Sequence, residues 1–127
     1  MARVTGIGGV FLRARDPKAL TAWYVEHLGF HPAEHGTILF HWNEGAAVDG
    51  GMTTWSAFPH NSNYFGEGST QAVMVNYRVD DLDALLNKLI EADSTLQPKR
   101  EDYSYGKFAW ITDPEGNRLE LWQPLAH

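Results

Sequence analysis

The sequence predicts an α+β fold: two βαβββ modules paired into a half-open, cup-shaped sheet. Three observations predict it. The first is an internal repeat, in which Arg13, Asp16, Ala19, Leu20 and Glu26 recur 65 residues later as Arg78, Asp81, Ala84, Leu85 and Glu91. Val10 recurs at the same offset as Val75, and Pro59 as Pro124. The second is that both halves read in the same order: a β-prone run, an Asp-initiated helical segment, then short apolar runs separated by turn residues. The third is size. The chain has 127 residues, and a half of about 60 residues cannot bury a good core alone, so the halves must pack on each other, about a pseudo-two-fold axis with a concavity on it. Module one is expected over residues 4–60, a linker over 61–70 and module two over 71–124.

Each element has a local reason. Ile7 to Ala14 is apolar and β-prone and reads as a strand. Asp16-Pro17 starts a helix, with Asp as the cap and Pro at the first helical position. Leu20, Trp23, Tyr24 and Leu28 follow at helical spacing on what is expected to be its inner face, and Gly29 ends it. Strands are expected at Phe30 to Glu34, Thr37 to Trp42 and Gly51 to Phe58, with a hairpin loop between Trp42 and Gly51. Asn61 to Thr70, rich in Asn, Gly and Ser, reads as the linker. Ala72 to Val79 is the next strand, and Asp80 to Glu91 a helix with Leu82, Leu85, Leu86 and Leu89 inward. Leu96 to Glu101 contains Pro98 and suits an edge strand. Lys107 to Thr112 and Arg118 to Gln123 form a hairpin across Asp113-Pro114-Glu115-Gly116-Asn117. Lys107 and the stretch Glu101 to Gly106, with two tyrosines and a glycine, could form a lid.

Composition removes several function classes. The net charge of -6 argues against non-specific nucleic-acid binding, which draws on clustered Lys and Arg. With no cysteine there is neither a disulfide framework nor thiolate chemistry. No apolar run approaches a membrane span or a signal core, so a cytoplasmic protein without membrane contact is expected. No nucleophile elbow supports Ser/His/Asp catalysis. Gly6, Gly8 and Gly9 are followed by strand residues, which excludes a phosphate loop. The unusual property is aromatic content, with five Trp, five Tyr and six Phe.

Alternation along the strands separates a helix-facing side from the other face. Leu119 and Leu121 oppose Arg118, Glu120 and Trp122; Val73, Val75 and Tyr77 oppose Met74, Asn76 and Arg78. Ala109 and Ile111 oppose Phe108 and Trp110, and Val10 and Leu12 oppose Gly9, Phe11 and Arg13. The concave face therefore carries aromatic rings, an amide, arginines and one carboxylate.

Three segments carry a family resemblance: Gly29-Phe30 after the first helix, Tyr77-Arg78-Val79-Asp80-Asp81-Leu82 leading into the second, and Asp113 to Trp122 at the end. Together they resemble the vicinal oxygen chelate superfamily, which includes glyoxalase I, extradiol dioxygenases and the fosfomycin and bleomycin resistance proteins. The resemblance spans nearly the whole chain and implies the glyoxalase-like fold. It implies no single reaction, because that fold hosts many chemistries. In the enzymes, the resemblance implies a divalent metal held by His, Gln or Glu from the first and last strands of each half. Here those positions fall on Gly9, on Met74, at or near Trp55 (flanked by Thr53 and Ala57) and on Glu120. One competent ligand of four remains, and a lone carboxylate does not hold a catalytic ion. Neither metal nor cofactor is expected. His41 and His60 are the residues that would rescue a metal site if this register were wrong; His27, His31 and His35 have helical spacing, but Gly29 and Pro32 interrupt the helix.

Glu120 has two readings: a carboxylate that binds a polar or cationic group or serves as general base, or an inherited remnant paired with Arg13, Arg78 or Arg118. Asn76 either orients a ligand or satisfies neighbouring groups. Phe11, Trp55, Phe108, Trp110 and Trp122 form either a stacking site or a second core. The expected function is a metal-independent, glyoxalase-like homodimer that binds or sequesters a small, partly aromatic organic molecule through Phe11, Trp55, Met74, Asn76, Phe108, Trp110, Glu120 and Trp122. This is similar to the bleomycin-resistance branch. The alternatives are a metal-dependent lyase, isomerase or dioxygenase with Glu120 as its catalytic residue, and an interaction domain whose cup is filled by its own side chains.

Overall fold

A computed structural model describes residues 2–33, 36–42, 51–93 and 96–125. The elements run β1 (Val4–Ala14), α1 (Pro17–Leu28), β2 (Ile38–His41), β3 (Met52–Pro59), β4 (Val73–Val79), α2 (Leu82–Ala92), β5 (Lys99–Tyr103), β6 (Gly106–Thr112) and β7 (Arg118–Pro124), with a 3-10 turn at Asn63–Phe65. The class is α+β. The chain divides into two compact units, Gly8–Met74 and a second formed by Val75 onward with the N-terminal residues up to Ile7.

In the Gly8–Met74 unit, β1 runs parallel to β3, and β2 pairs antiparallel with β3. A parallel pair needs a crossover, which α1 supplies. The Asp16 carboxylate accepts from Ala19 N at 3.0 Å, and Gly29 takes a left-handed conformation (φ 72°) that closes the helix. One face carries a ring cluster in which Tyr24 of α1 meets Trp55 at 4.7 Å and Phe30 at 5.1 Å. On the other, Phe58 contacts Phe11 at 5.4 Å, stacks on Tyr64 at 5.3 Å and meets Phe65, while Arg13 lies over Phe65.

In the second unit, β4 is parallel to β7, β7 antiparallel to β6, and β6 antiparallel to β5. Asp81 caps α2 by accepting from Ala84 N at 3.1 Å, and Leu82 N donates to Gln123 Oε1 at 2.8 Å, tying the helix start to β7. Leu82, Leu85 and Leu86 of α2 pack with Val79, Ala109 and Leu121 in one buried cluster, with Tyr77, Leu89, Ile111 and Leu119 at its margin. This is the helix face expected from alternation. The β6–β7 turn is held by the Asp113 carboxylate, which accepts from the backbone N–H groups of Glu115 and Asn117, both at 2.9 Å. Those donors hold it below the usual carboxylate value, the Asn117 backbone N–H most strongly. Asp83 in the first turn of α2 is bridged by Lys107 and Arg100.

Four expectations are corrected. No strand forms at Phe30 to Glu34 among the described residues; Pro32 makes only an isolated bridge with Ile38. The α1 pattern overstates its buried face: no residue of α1 is buried, and Trp23 and Leu28 are 48% and 57% exposed. The edge strand expected from Leu96 begins at Lys99, after Pro98, because proline cannot donate to the ladder. The expected lid is part of a hairpin, since Glu101, Asp102 and Tyr103 pair with Phe108, Lys107 and Gly106. The hairpin loop expected between Trp42 and Gly51 lies outside the described residues, flanked by a bond from Trp42 N to Gly51 O.

The asymmetry between helices sets a stability contrast. Leu85→Ala is expected to cost about 2–5 kcal/mol, because it opens a cavity in the α2 cluster. Leu28→Ala in α1 is expected to cost about 0.5 kcal/mol or less, as a surface change. Urea denaturation of the two variants measures the difference. A pH effect follows from Asp83. Hydrogen bonds from Lys107 and then Arg100 hold its carboxyl below the ordinary value of 3.8. A carboxyl depressed in the folded state contributes stability above its unfolded pKa of about 3.9 and loses it as pH falls through the folded value. The stability gap between wild type and Asp83→Asn is therefore expected to be full at neutral pH and to shrink below about pH 4 in acid-denaturation curves.

Candidate functional site

Strand pairing lines the predicted site residues up in rows. In the second unit Asn76 of β4 pairs with Glu120 of β7, Glu120 with Trp110 of β6, and Trp110 with Lys99 of β5. One step along, Arg78, Trp122, Phe108 and Glu101 form the next row on the same face. The face opposite α2 thus carries Asn76, Glu120, Phe108, Trp110 and Trp122, all five being residues singled out from sequence.

At its centre Asn76 Nδ2 donates to Glu120 Oε1. Both residues are almost completely buried, at 3% and 2% exposure. Asn76 Oδ1 and Trp122 Nε1 are buried without a hydrogen-bond partner among the described residues. A buried polar atom left unpaired costs about 1–3 kcal/mol. The three rings are nearly parallel: Phe108 lies 6.4 Å from Trp110 at 17° and 6.3 Å from Trp122 at 16°. The Arg118 guanidinium and the Lys99 ammonium sit 5.7 Å and 5.9 Å from the centre of the Trp110 ring. Toward solvent the ladder continues with Tyr103 and Tyr105, stacked at 5.3 Å and both edge-on to Phe108. The Tyr103 hydroxyl donates to Glu101 Oε2, which raises its pKa above the phenol value.

Gly106 is what permits this packing, and sequence reading passed over it. A Cβ at position 106 would lie 2.7 Å from Trp122 Nε1, closer than real Cβ contacts allow. The signal was present only as a glycine opening a strand, where a close approach is one of several reasons for glycine.

In the Gly8–Met74 unit the register places residues differently from expectation. Phe11 pairs with Ser56, as Asn76 pairs with Glu120, so the counterpart of Glu120 is Ser56. Trp55 instead pairs with Val10 on the α1 side, packed against Tyr24 and Phe30. The two arginines of the first strands, Arg13 and Arg78, are 65 residues apart, but their partners Phe58 and Trp122 are separated by 64. The Pro59–Pro124 match suggested a constant offset and concealed this one-residue slip. Phe11 stays on the face assigned from sequence, with Gly9, Thr54, Ser56 and Phe58. Its ring folds back over Gly9, where an added Cβ would meet Phe11 Cζ at 3.0 Å.

The residues at the family's metal positions do not fit a divalent ion. Gly9 offers no side-chain donor, and a Cβ there would come within 3.0 Å of the Phe11 ring. Met74 is fully buried and presents a soft thioether. Ser56 carries a neutral hydroxyl, and the Glu120 carboxyl is engaged by the Asn76 amide. His41 is exposed at the end of β2 and His60 is exposed beyond β3, its carbonyl accepting from Arg13. Among the described residues no three His, Cys, Asp or Glu side chains converge on a metal-sized site. No described helix is long and apolar enough to cross a membrane.

Solved structures share the fold at low sequence identity. A glyoxalase/bleomycin resistance protein/dioxygenase superfamily member from Vibrio splendidus 12B01 is 17% identical, with a TM-score of 0.60 over 97% of this chain and 99% of that one. Methylmalonyl-CoA epimerase from Mycobacterium tuberculosis is 19% identical, with a TM-score of 0.60 over 97% and 90%. A Streptomyces coelicolor methylmalonyl-CoA epimerase in complex with 2-nitronate-propionyl-CoA is 16% identical, with a TM-score of 0.65 over 98% and 100%. No curated protein matches the sequence. The profile of one family matches residues 6–121, and the chain therefore belongs to the Glyoxalase/Bleomycin resistance protein/Dioxygenase superfamily.

Proposed function

We propose that this chain binds a small, partly aromatic organic molecule without a resident metal, on the face formed by Asn76, Glu120, Phe108, Trp110 and Trp122. The observation that carries the reading is the near-parallel ladder of three rings beside the buried Asn76–Glu120 hydrogen bond. A flat ligand gains about 0.5–1.5 kcal/mol from each stacked ring, and a cation gains further from the ring faces and the carboxyl group. The half-buried Phe108 and Trp122 and the exposed Tyr105 form the accessible edge. Asn76 Oδ1 supplies an acceptor for a ligand N–H or O–H, and Trp122 Nε1 a donor for a ligand oxygen or nitrogen. Metal independence rests on the donor set: glycine, thioether, hydroxyl and a single amide-bound carboxyl offer too few hard ligands to offset dehydration of the ion.

One observation favours a second reading. A buried carboxyl oriented by an amide is also the arrangement of a general base, and structural neighbours include proteins named as methylmalonyl-CoA epimerases. An enzyme of that kind would use Glu120 to move a proton on a carbon acid.

Proflavine, a planar aromatic cation, serves as the probe. Saturable quenching of tryptophan emission is expected in EDTA-treated protein. Binding should weaken roughly 10-fold in Glu120→Gln, which replaces the carboxyl group with an amide, and several-fold in Trp122→Ala, which removes a ring. Gly106→Ala, which displaces Trp122, should weaken it in the same direction. Calorimetric titration with Zn²⁺, Ni²⁺, Mn²⁺ and Fe²⁺ is the opposing measurement. Stoichiometric metal binding that disappears in Glu120→Ala would overturn the proposal in favour of a metalloenzyme.

A further inference from the structure

Pro98 leaves one edge of the second unit open. It has no N–H to donate, so β5 begins at Lys99, which pairs with Trp110 of β6. Beyond that pair, Ile111 and Thr112 have partners on β7 but none on the β5 side. An open strand edge presents backbone N–H and C=O groups to whatever lies beside it. Here a cleft of about 650 Å³ lies beside it, reaching from the end of α2 to the β6–β7 turn. That volume falls within the range of small-molecule sites, about 300–1,000 Å³.

The cleft is amphipathic. Leu89, Leu96 and Ile111 are half-buried and give it apolar lining, and Leu89 and Ile111 pack on the α2 cluster. It is also lined by Lys99, Arg118 and Trp110, and both cations approach the Trp110 ring, at 5.9 Å and 5.7 Å. Lys99 forms no ion pair among the described residues. Two acids border the same cleft. Asp113 is spent in the turn, where its carboxylate accepts from the N–H groups of Glu115 and Asn117 and from the Asn117 amide. Asp93 closes α2: its N–H donates to Leu89 O and its C=O accepts from Leu96 N. The carbonyls of Leu89 and Asp93 at the helix end are therefore already engaged.

We infer that this cleft binds a small organic acid with an apolar body. Its carboxylate lies with Lys99 and Arg118, whose guanidinium fork matches two carboxylate oxygens, and its body lies on Leu89, Leu96 and Ile111. Lys99 supplies a cation that no described carboxylate has taken. A doubly charged phosphate fits less well, because Asp93 and Asp113 stand at the same cleft and repel the second charge. The site goes beyond the function proposed above. It shares only Trp110 with the face of Asn76 and Glu120, and its ligand is opposite in charge to the cation that face favours.

Calorimetric titration with 4-phenylbutyrate tests this, with far-UV circular dichroism as the folding control for variants. Saturable one-to-one binding is expected. 4-Phenylbutylamine, with the same body and the opposite charge, should bind about 10-fold more weakly. Lys99→Glu reverses the charge at an exposed position and should weaken the acid by about 10-fold as well. Ala92→Trp fills the cleft from the end of α2 and should abolish binding. Saturating proflavine should leave the affinity for the acid unchanged. Equal binding of acid and amine overturns the inference, as does the lack of saturable binding at millimolar acid. Binding indifferent to either substitution also overturns it, and displacement by proflavine overturns it by placing the acid on the ring face.

Discussion

The constraint on which the second unit depends is the pairing register of β4, β7 and β6. Side chains alternate with a period of two, so each register position decides at once what enters the α2 core and what enters the opposite face. With Asn76, Glu120 and Trp110 in one row, Tyr77, Leu121 and Ala109 fall in the next and point to the leucines of α2. A slip of one residue would drive Glu120 into that leucine cluster and expose Leu121. The apolar core thus specifies where the carboxyl and the amide meet, although neither contributes to the core. The polar pair is placed by packing on the far side of the sheet.

The Gly8–Met74 unit solves the same topology with different chemistry. Its parallel pair is intact and its helix is capped in the same way, but aromatic rings replace the leucine cluster. Tyr24, Phe30 and Trp55 pack between α1 and the strands, and Phe11, Phe58, Tyr64 and Phe65 fill the other face. This filling bears on function. Where the family's enzymes need a ligand from the first strand, this chain has Gly9 with the Phe11 ring over it. A ligand there would have to supply a donor and also make the Phe11 ring give way by a few tenths of an ångström. At this position the packing as well as the residue type differs from what a metal ligand would require.

Much of the fold was legible because it rests on local signals. Asp16-Pro17 and Asp81 announce helix starts through their capping chemistry, and Asp113 to Asn117 announces a turn. Alternation correctly sorted Ala109, Ile111, Leu119 and Leu121 from Phe108, Trp110, Glu120 and Trp122. The Trp55 assignment failed because it relied on a constant repeat offset, and sequence cannot reveal that two strands pair one residue out of step with their repeat. The inner face of α1 was overstated because helical spacing reports which residues share a side, not whether anything lies against them.

By itself, then, the sequence determined the order of elements, the helix caps, the turn chemistry and the side of each strand in the second unit, since all are set by backbone geometry and neighbours within a few residues. Only the tertiary structure decided that Asn76 meets Glu120, that Ser56 and not Trp55 is its counterpart, and that Trp122 needs a glycine at 106. Those facts join residues tens of positions apart, and strand register and side-chain volume settle them together, once the strands have paired.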